Sequence, residues 1–180
     1  NGGADLLYRL AFGLHPKKVL LPAPAFVEYE EALSAAGAQM EYYLMRDDFV
    51  IKEDILEQIT EETDFVVICN PNNPTSTAIK QEDLRKMFVF CSGKNIFVMI
   101  NETYVEFAPD ISAITAVPLT QEFTNLMVLR GVSKFFAAPG MRLGYGITGN
   151  KKFLEKMREK QTPWSLNSIG AFAGEIMLQD

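Results

Sequence analysis

The residues with the clearest chemical potential in this 180-residue chain are Ser133 and Lys134, followed eight residues later by Arg142. The lysine lies among apolar residues that include Phe135 and Phe136, so we expect its amine to lose solvation, which favours the neutral form. A neutral amine condenses with an aldehyde to form a Schiff base, and a guanidinium binds a phosphate through paired hydrogen bonds. The pattern indicates a ligand that carries both groups, as pyridoxal phosphate does. For Lys134 taken alone, an ordinary solvated lysine is the competing interpretation.

The composition excludes several other classes of protein. Hydrophobic residues make up 48% of the chain and charged residues 22%, which predicts a globular protein. The net charge of -6 argues against a nucleic-acid partner, and no apolar run approaches the roughly 18 residues of a membrane span. Cys69 and Cys91 each lie in an apolar run, which favours buried thiols over a disulfide. The sequence therefore predicts a cytoplasmic protein, and we identify no metal site in it.

Apolar runs of strand length alternate with segments of helical periodicity. Three runs are continuously apolar, as expected of strands buried on both faces: 65–69, 96–100 and 126–129. Further strands are predicted at 19–21, 40–44 and 143–148, and helices at 6–14, 26–36, 54–60, 82–91 and 151–160. This alternation predicts an α/β fold with a mostly parallel central sheet and helices on both faces.

The length suits one domain of ordinary size. The chain opens without methionine on a Gly-rich turn, and residues 175–180 have the pattern of the middle of an amphipathic helix. We therefore expect residues 1–180 to form a single domain that is truncated at both ends.

Polar residues follow each of the three buried strands, at 70–75, 101–104 and 133–134. Ligands of such sheets bind beyond the carboxyl ends of the strands, so these three clusters are expected to converge on one edge. The first cluster holds three asparagines and two prolines, which predicts a stiff loop that presents amide groups at defined angles.

These clusters, together with the start of the chain, resemble the large domain of class I and II aminotransferases, the fold type I enzymes that use pyridoxal phosphate. Four stretches carry the resemblance in the family's order: 1–5, 70–75, 101–107 and 133–145. Within the family, the chain is most similar to the branch of threonine-phosphate decarboxylase and histidinol-phosphate aminotransferase. Residues 135–145, chiefly through Pro139, and residues 163–167 resemble the decarboxylase more. The resemblance implies transamination or decarboxylation of an amino acid or amino-acid phosphate ester, in a homodimer. It leaves the choice between the two reactions open.

The resemblance also implies a role for each matching residue. Lys134 and Tyr104 resemble the catalytic residues of the family, with Lys134 as the Schiff-base lysine and Ser133 beside it in the cofactor site. Gly3 and Ala4 open a helix whose N–H groups would complete a phosphate site. The other implied cofactor contacts are Arg142 with the phosphate, Phe26 with the ring face, Asn73 and Tyr104 with the ring hydroxyl, and Asn101 with the ring nitrogen. Asn167 is the implied substrate contact.

Three positions depart from the family's pattern. Asn101 stands where the family has aspartate, and an amide cannot hold a proton on the ring nitrogen by charge. Gly131 stands where the family usually has a Ser or Thr phosphate ligand, and Ser76 where it often has glycine. These departures keep a second hypothesis open, in which the chain is a catalytically impaired or non-catalytic relative.

Overall fold

The computed structural model describes residues 1–179, which form one six-stranded sheet flanked by five α-helices. The strands are β1 (Lys18–Ala23), β2 (Gln39–Leu44), β3 (Phe65–Cys69), β4 (Phe97–Asn101), β5 (Leu126–Gly131) and β6 (Gly144–Ile147). The helices are α1 (Gly2–Leu14), α2 (Glu28–Ala35), α3 (Gln81–Gly93), α4 (Lys151–Glu159) and α5 (Ser168–Met177). Short 3-10 helices span Glu53–Gln58, Val105–Phe107, Val117–Gln121 and Pro139–Met141.

The strand order is β2-β1-β3-β4-β5-β6, and β6 alone runs antiparallel to its neighbour. All six strands lie where the sequence predicts them, to within two residues at each end. The prediction of an α/β fold with a mostly parallel sheet is confirmed. The sheet register brings the ends of β3, β4 and β5 side by side, with Cys69, Asn101 and Leu129 in one row.

Helices cover both faces of the sheet, as predicted, because the central strands are apolar on both faces. In β3, Phe65, Val67 and Cys69 pack in the core that contains α1, α2 and α4. Val66 and Ile68 pack in the opposite core, which contains α3. Each large apolar side chain that is fully buried in these cores contributes about 1.5–3 kcal/mol of transfer free energy.

Two helix predictions differ from the structure. The segment predicted as a helix at 54–60 forms the 3-10 helix Glu53–Gln58, in which Ile55 is the buried residue. The first helix begins at Gly2, before the apolar spacing that starts at residue 6 and close to the start at Gly3 and Ala4 that the family resemblance implies. Its unpaired N–H groups therefore belong to Gly2, Gly3 and Ala4. The amphipathic segment at 175–180 corresponds to the end of α5, and Asp180 lies outside the described residues.

Among residues 1–179, no helix has both the length and the hydropathy that crossing a bilayer requires.

Both cysteines are buried free thiols, as the sequence predicts. Cys69 packs in the core on one face of the sheet and Cys91 in the core on the other, so the sheet separates the two sulfur atoms. Burial raises the pKa of Cys91 to about 12, which keeps its thiol protonated and unreactive.

Candidate active site

A cavity of about 200 Å³ opens where the carboxyl ends of β3, β4 and β5 meet the N-terminus of α1. Nine residues that the sequence proposes for the cofactor line this one cavity: Gly3, Ala4, Phe26, Asn73, Asn101, Tyr104, Ser133, Lys134 and Arg142. They come from five separate segments of the chain. The expected convergence of the polar clusters on one sheet edge is therefore found in the fold.

One end of the cavity is built for an anion. Gly2 has a φ of +83°, and a Cβ there would lie 2.6 Å from Nη2 of Arg142. A Cβ on Gly144 would lie 2.6 Å from the backbone nitrogen of Gly3, so β6 and α1 approach each other through glycine. Nη1 of Arg142 donates to the carbonyl of Pro139 at 3.1 Å, which holds the guanidinium beside the helix N-terminus. Free helix N–H groups and a guanidinium together suit a phosphate.

Lys134 lies on the turn after β5, at the mouth of this cavity. Its Nζ atom is 5.9 Å from the centroid of the Tyr104 ring, within the range of a cation–π contact. The expectation that apolar neighbours desolvate the amine is wrong, because the side chain is exposed. Phe135 packs edge-on against Phe107 and Phe136 and does not cover the lysine. The apolar residues next to Lys134 in the sequence therefore do not determine how well its amine is solvated.

The three asparagines of the loop at 70–75 have different roles, since two hold the loop in place and one lines the cavity. Asn70 is fully buried, and its side chain bonds to both the N–H and the carbonyl of Ile79. Asn72 donates to the carbonyl of Pro24. Asn73 alone of the three lines the cavity. Ser76 has a φ of 60°, a left-handed conformation that glycine adopts without strain, which accounts for the glycine that the family often has there.

The floor of the cavity contains a hydrogen-bonded group that sequence reasoning identified only in part. Asn101 donates from Nδ2 to the hydroxyl of Tyr29 at 2.8 Å. Its Oδ1 accepts from the backbone N–H of Thr103 at 2.9 Å and from the Thr103 hydroxyl. Burial raises the pKa of Tyr29 well above its ordinary value, so its phenol stays neutral. Tyr29 was missed because an aromatic residue in an amphipathic helix has the pattern of a core residue.

Phe26 and Asn167 have different placements. Phe26 lines the cavity, with its ring centroid 5.7 Å from that of Tyr29, and it stays 40% exposed, unlike a core residue. Asn167 is not among the residues that line the cavity. Its side chain caps α5 by accepting from the N–H of Gly170 and donates to the carbonyl of Met141. Its contact with a substrate stays a prediction.

A buried ion pair behind the cavity fixes the residues that follow β4. Glu102 is fully buried and accepts from Nε and Nη2 of Arg130 at 3.0 and 2.7 Å. It also accepts from the Thr115 hydroxyl and from the backbone N–H of Ala116. Because Glu102 lies between Asn101 and Thr103, this network positions the floor of the cavity. Sequence reasoning missed it, since a Glu beside a strand is usually solvated.

The chain belongs to the family described as aminotransferase class I and II, whose model matches residues 1–180. Members of this family depend on pyridoxal phosphate. The cavity fits that group, since its lining includes an anion site, a lysine and an aromatic side chain. In residues 1–179, no three His, Cys, Asp or Glu side chains are grouped so that they could hold a metal ion.

Two curated enzymes illustrate what this chain is similar to. Threonine-phosphate decarboxylase of Salmonella typhimurium is 33% identical over the whole of this chain and 50% of its own length. Histidinol-phosphate aminotransferase of Prosthecochloris aestuarii is 35% identical over 99% of this chain and 48% of its own. The chain thus spans about half the length of the curated relatives it matches.

Solved structures agree with this comparison. The histidinol-phosphate aminotransferase from Clostridium acetobutylicum superposes with a TM-score of 0.84 at 31% identity, over 92% of this chain and 49% of that one. L-threonine-O-3-phosphate decarboxylase from Porphyromonas gingivalis shares the fold, with a TM-score of 0.85 at 22% identity, over 99% of this chain and 51% of that one.

Proposed function

We propose that this chain is the cofactor-binding large domain, residues 1–180, of a pyridoxal-phosphate-dependent enzyme. The enzyme would act as an aminotransferase or decarboxylase on an amino acid or amino-acid phosphate ester. The observation that carries the proposal is the meeting of Lys134, Arg142 and the α1 N-terminus in one cavity, from distant parts of the sequence. The names of the relatives support a phosphate ester of threonine or of histidinol as substrate.

The residues of the anion site would hold the cofactor in one orientation. Arg142 and the N–H groups of Gly3 and Ala4 would bind the phosphate, with Ser133 adding a hydroxyl. When bound, pyridoxal phosphate supplies an aldehyde that reacts with amines and a ring that withdraws electrons from the substrate Cα. Phe26 would pack on the ring face, which excludes water from that side.

Lys134 and Tyr104 would do the proton chemistry. Lys134 would supply the amine for the cofactor's aldehyde, and its Nζ would hold or move a proton at the substrate Cα. The Tyr104 hydroxyl and the Asn73 amide would hydrogen-bond the ring hydroxyl and fix the ring plane. The exposure of Lys134 leaves its amine accessible to an entering substrate.

The assembly and location of the enzyme are part of the proposal. We propose a cytoplasmic homodimer, because the two buried free thiols suit a reducing compartment. A partner would also cover apolar side chains that α5 leaves exposed, namely Ile169, Phe172 and Ile176.

Reduction by borohydride tests the proposal directly. The purified protein, mixed with pyridoxal phosphate, is expected to gain a near-ultraviolet or visible absorption band that borohydride abolishes. Peptide mapping should then find the pyridoxyl group on Lys134. The product of turnover, either carbon dioxide or a new amino acid from an added keto acid, separates decarboxylation from transamination. A label on another lysine would contradict the assignment, and a protein that binds the cofactor without turnover would support the impaired alternative.

Gly131→Ser is expected to tighten cofactor binding about tenfold. Gly131 lines the cavity, and a Cβ there would meet the carbonyl oxygen of Leu143 at 3.4 Å, an ordinary contact. The added hydroxyl would supply the phosphate ligand that the family usually has, and a hydrogen bond to a charged group contributes roughly 1.5–3 kcal/mol. Fluorescence titration with pyridoxal phosphate measures the affinity. Gly93→Ser, on an exposed helix end with open space around it, is the matched control. Equal or weaker binding in the Gly131 variant would argue against the phosphate site.

A further inference from the structure

The side-chain amide of Asn101 is hydrogen-bonded within the protein so that only one of its N–H groups is available to a ligand. The backbone N–H of Thr103 can only donate, so the atom that faces it at 2.9 Å must be Oδ1. The Thr103 hydroxyl donates to the same oxygen. Both lone pairs of Oδ1 are therefore used within the protein. Nδ2 uses one N–H for the Tyr29 hydroxyl, and among the described residues its second N–H has no partner.

The described residues on the cavity wall supply no negative charge that could hold a proton on a bound ring nitrogen. Among the described residues that line the cavity, none is aspartate, glutamate or histidine. The two charged side chains there, Lys134 and Arg142, are both cations. The remaining titratable groups are Tyr29, Tyr104 and Cys69. Burial raises the pKa of the Cys69 thiol and of the Tyr29 phenol, so neither supplies a negative charge near neutral pH.

The connectivity of pyridoxal phosphate directs its ring nitrogen to this floor. The nitrogen is para to the carbon that bears the aldehyde, and the phosphate arm is on the carbon next to that one. If the aldehyde lies at Lys134 and the phosphate at Arg142, the nitrogen would be the ring atom farthest from the lysine. Buried Cys69 and Leu129 flank Asn101 in the sheet, Tyr29 accepts from its Nδ2, and Asn101 is the polar group of this row that has a free N–H.

We infer that this protein binds pyridoxal phosphate with its ring nitrogen unprotonated, accepting a hydrogen bond from Nδ2 of Asn101. Thr103 and Tyr29 act as positioning residues, because they fix which end of the amide faces the cofactor. The inference rests on the proposed function, since it requires the cofactor to bind in this cavity. A neutral ring withdraws electrons less strongly than a protonated one, so the electron sink offered to the substrate Cα would be weaker.

Nitrogen NMR of bound pyridoxal phosphate, labelled with ¹⁵N in the ring, tests the inference without reference to activity. We expect the resonance of a neutral pyridine nitrogen, and we expect it to persist at pH values where the free cofactor in the same buffer is already protonated. In Asn101→Asp, whose carboxylate can accept the proton, the resonance should move to the pyridinium position. The wild-type spectrum is decisive by itself, so a folding defect in the variant leaves the test intact.

Three results would count against the inference in distinguishable ways. A pyridinium resonance in the wild-type protein, at a pH where the free cofactor is neutral, would overturn it and leave the proposed function standing. A folded Asn101→Asp variant with an unchanged resonance would show that Asn101 does not meet the ring nitrogen, and would overturn it as well. Failure of the wild-type protein to bind pyridoxal phosphate would overturn the proposed function, and this inference with it.

Discussion

Lys134→Ala is expected to abolish covalent attachment of pyridoxal phosphate and to lower turnover by about 10³-fold or more. Attachment needs an amine, and proton transfer by a positioned side chain alone contributes roughly 10²–10⁴-fold to an enzyme's rate. The phosphate site does not include the lysine, so the variant should still bind the cofactor through Arg142 and the α1 N-terminus. We therefore expect the variant to lose more cofactor than the wild-type protein during dialysis. The cofactor that remains should not become covalently attached when borohydride is added.

The control is Lys152→Ala, which removes an exposed lysine from α4, outside the set of residues that line the cavity. It should leave the absorption band, the borohydride product and turnover unchanged. Turnover is measured with threonine phosphate and with histidinol phosphate, by carbon dioxide release and by amino transfer. A Lys134→Ala variant that keeps turnover within tenfold of wild type would contradict the assigned role. Addition of a small primary amine should restore part of the activity if the missing group is the amine alone.

The fold is predictable from sequence because its determinants are local. The continuous apolar runs in β3, β4 and β5 require burial on both faces, and their alternation with helices favours a parallel sheet covered by those helices. The polar residues after these strands must then share one edge of the sheet, so the strand pattern alone predicts that Asn73, Asn101 and Lys134 lie together. Which of the three loop asparagines faces the cavity follows from the family resemblance, since composition and periodicity treat all three alike.

The features that escape prediction depend on contacts between distant residues. Tyr29 meets Asn101 across 72 positions, and Arg130 meets Glu102 across 28. Neither pair has a local signal, because a tyrosine in an amphipathic helix and a glutamate after a strand each have common, unremarkable roles. The predicted desolvation of Lys134 is wrong for the same reason, since Phe135 packs against Phe107 and Phe136 and the lysine stays exposed. Local patterns indicate which residues are available for chemistry, and tertiary packing determines their ionisation and orientation.

Glu102→Ala is expected to destabilise the protein by about 3–5 kcal/mol, the range for breaking a buried ion pair by removing one partner. The carboxylate is fully buried and accepts from Arg130, whose side chain is only 17% exposed, so the variant leaves this largely buried cation with only the Glu106 carboxylate, 4.0 Å away. The variant also leaves the Thr115 hydroxyl and the Ala116 N–H without their acceptor. Urea unfolding of the purified protein measures the loss as a lower midpoint with little change in slope.

Two further variants distinguish the contribution of the ion pair to stability from the general effect of replacing a glutamate. Glu61→Ala removes an exposed carboxylate and should change the free energy of unfolding by less than about 0.5 kcal/mol. Glu102→Gln keeps one acceptor oxygen and the side-chain volume. Its decrease in the free energy of unfolding should therefore fall between those of the two alanine variants. Because Glu102 lies between Asn101 and Thr103, Glu102→Ala should also weaken pyridoxal phosphate binding under conditions where the protein is still folded. A Glu102→Ala variant as stable as Glu61→Ala would show that the Arg130 pair does not hold the floor of the cavity in place.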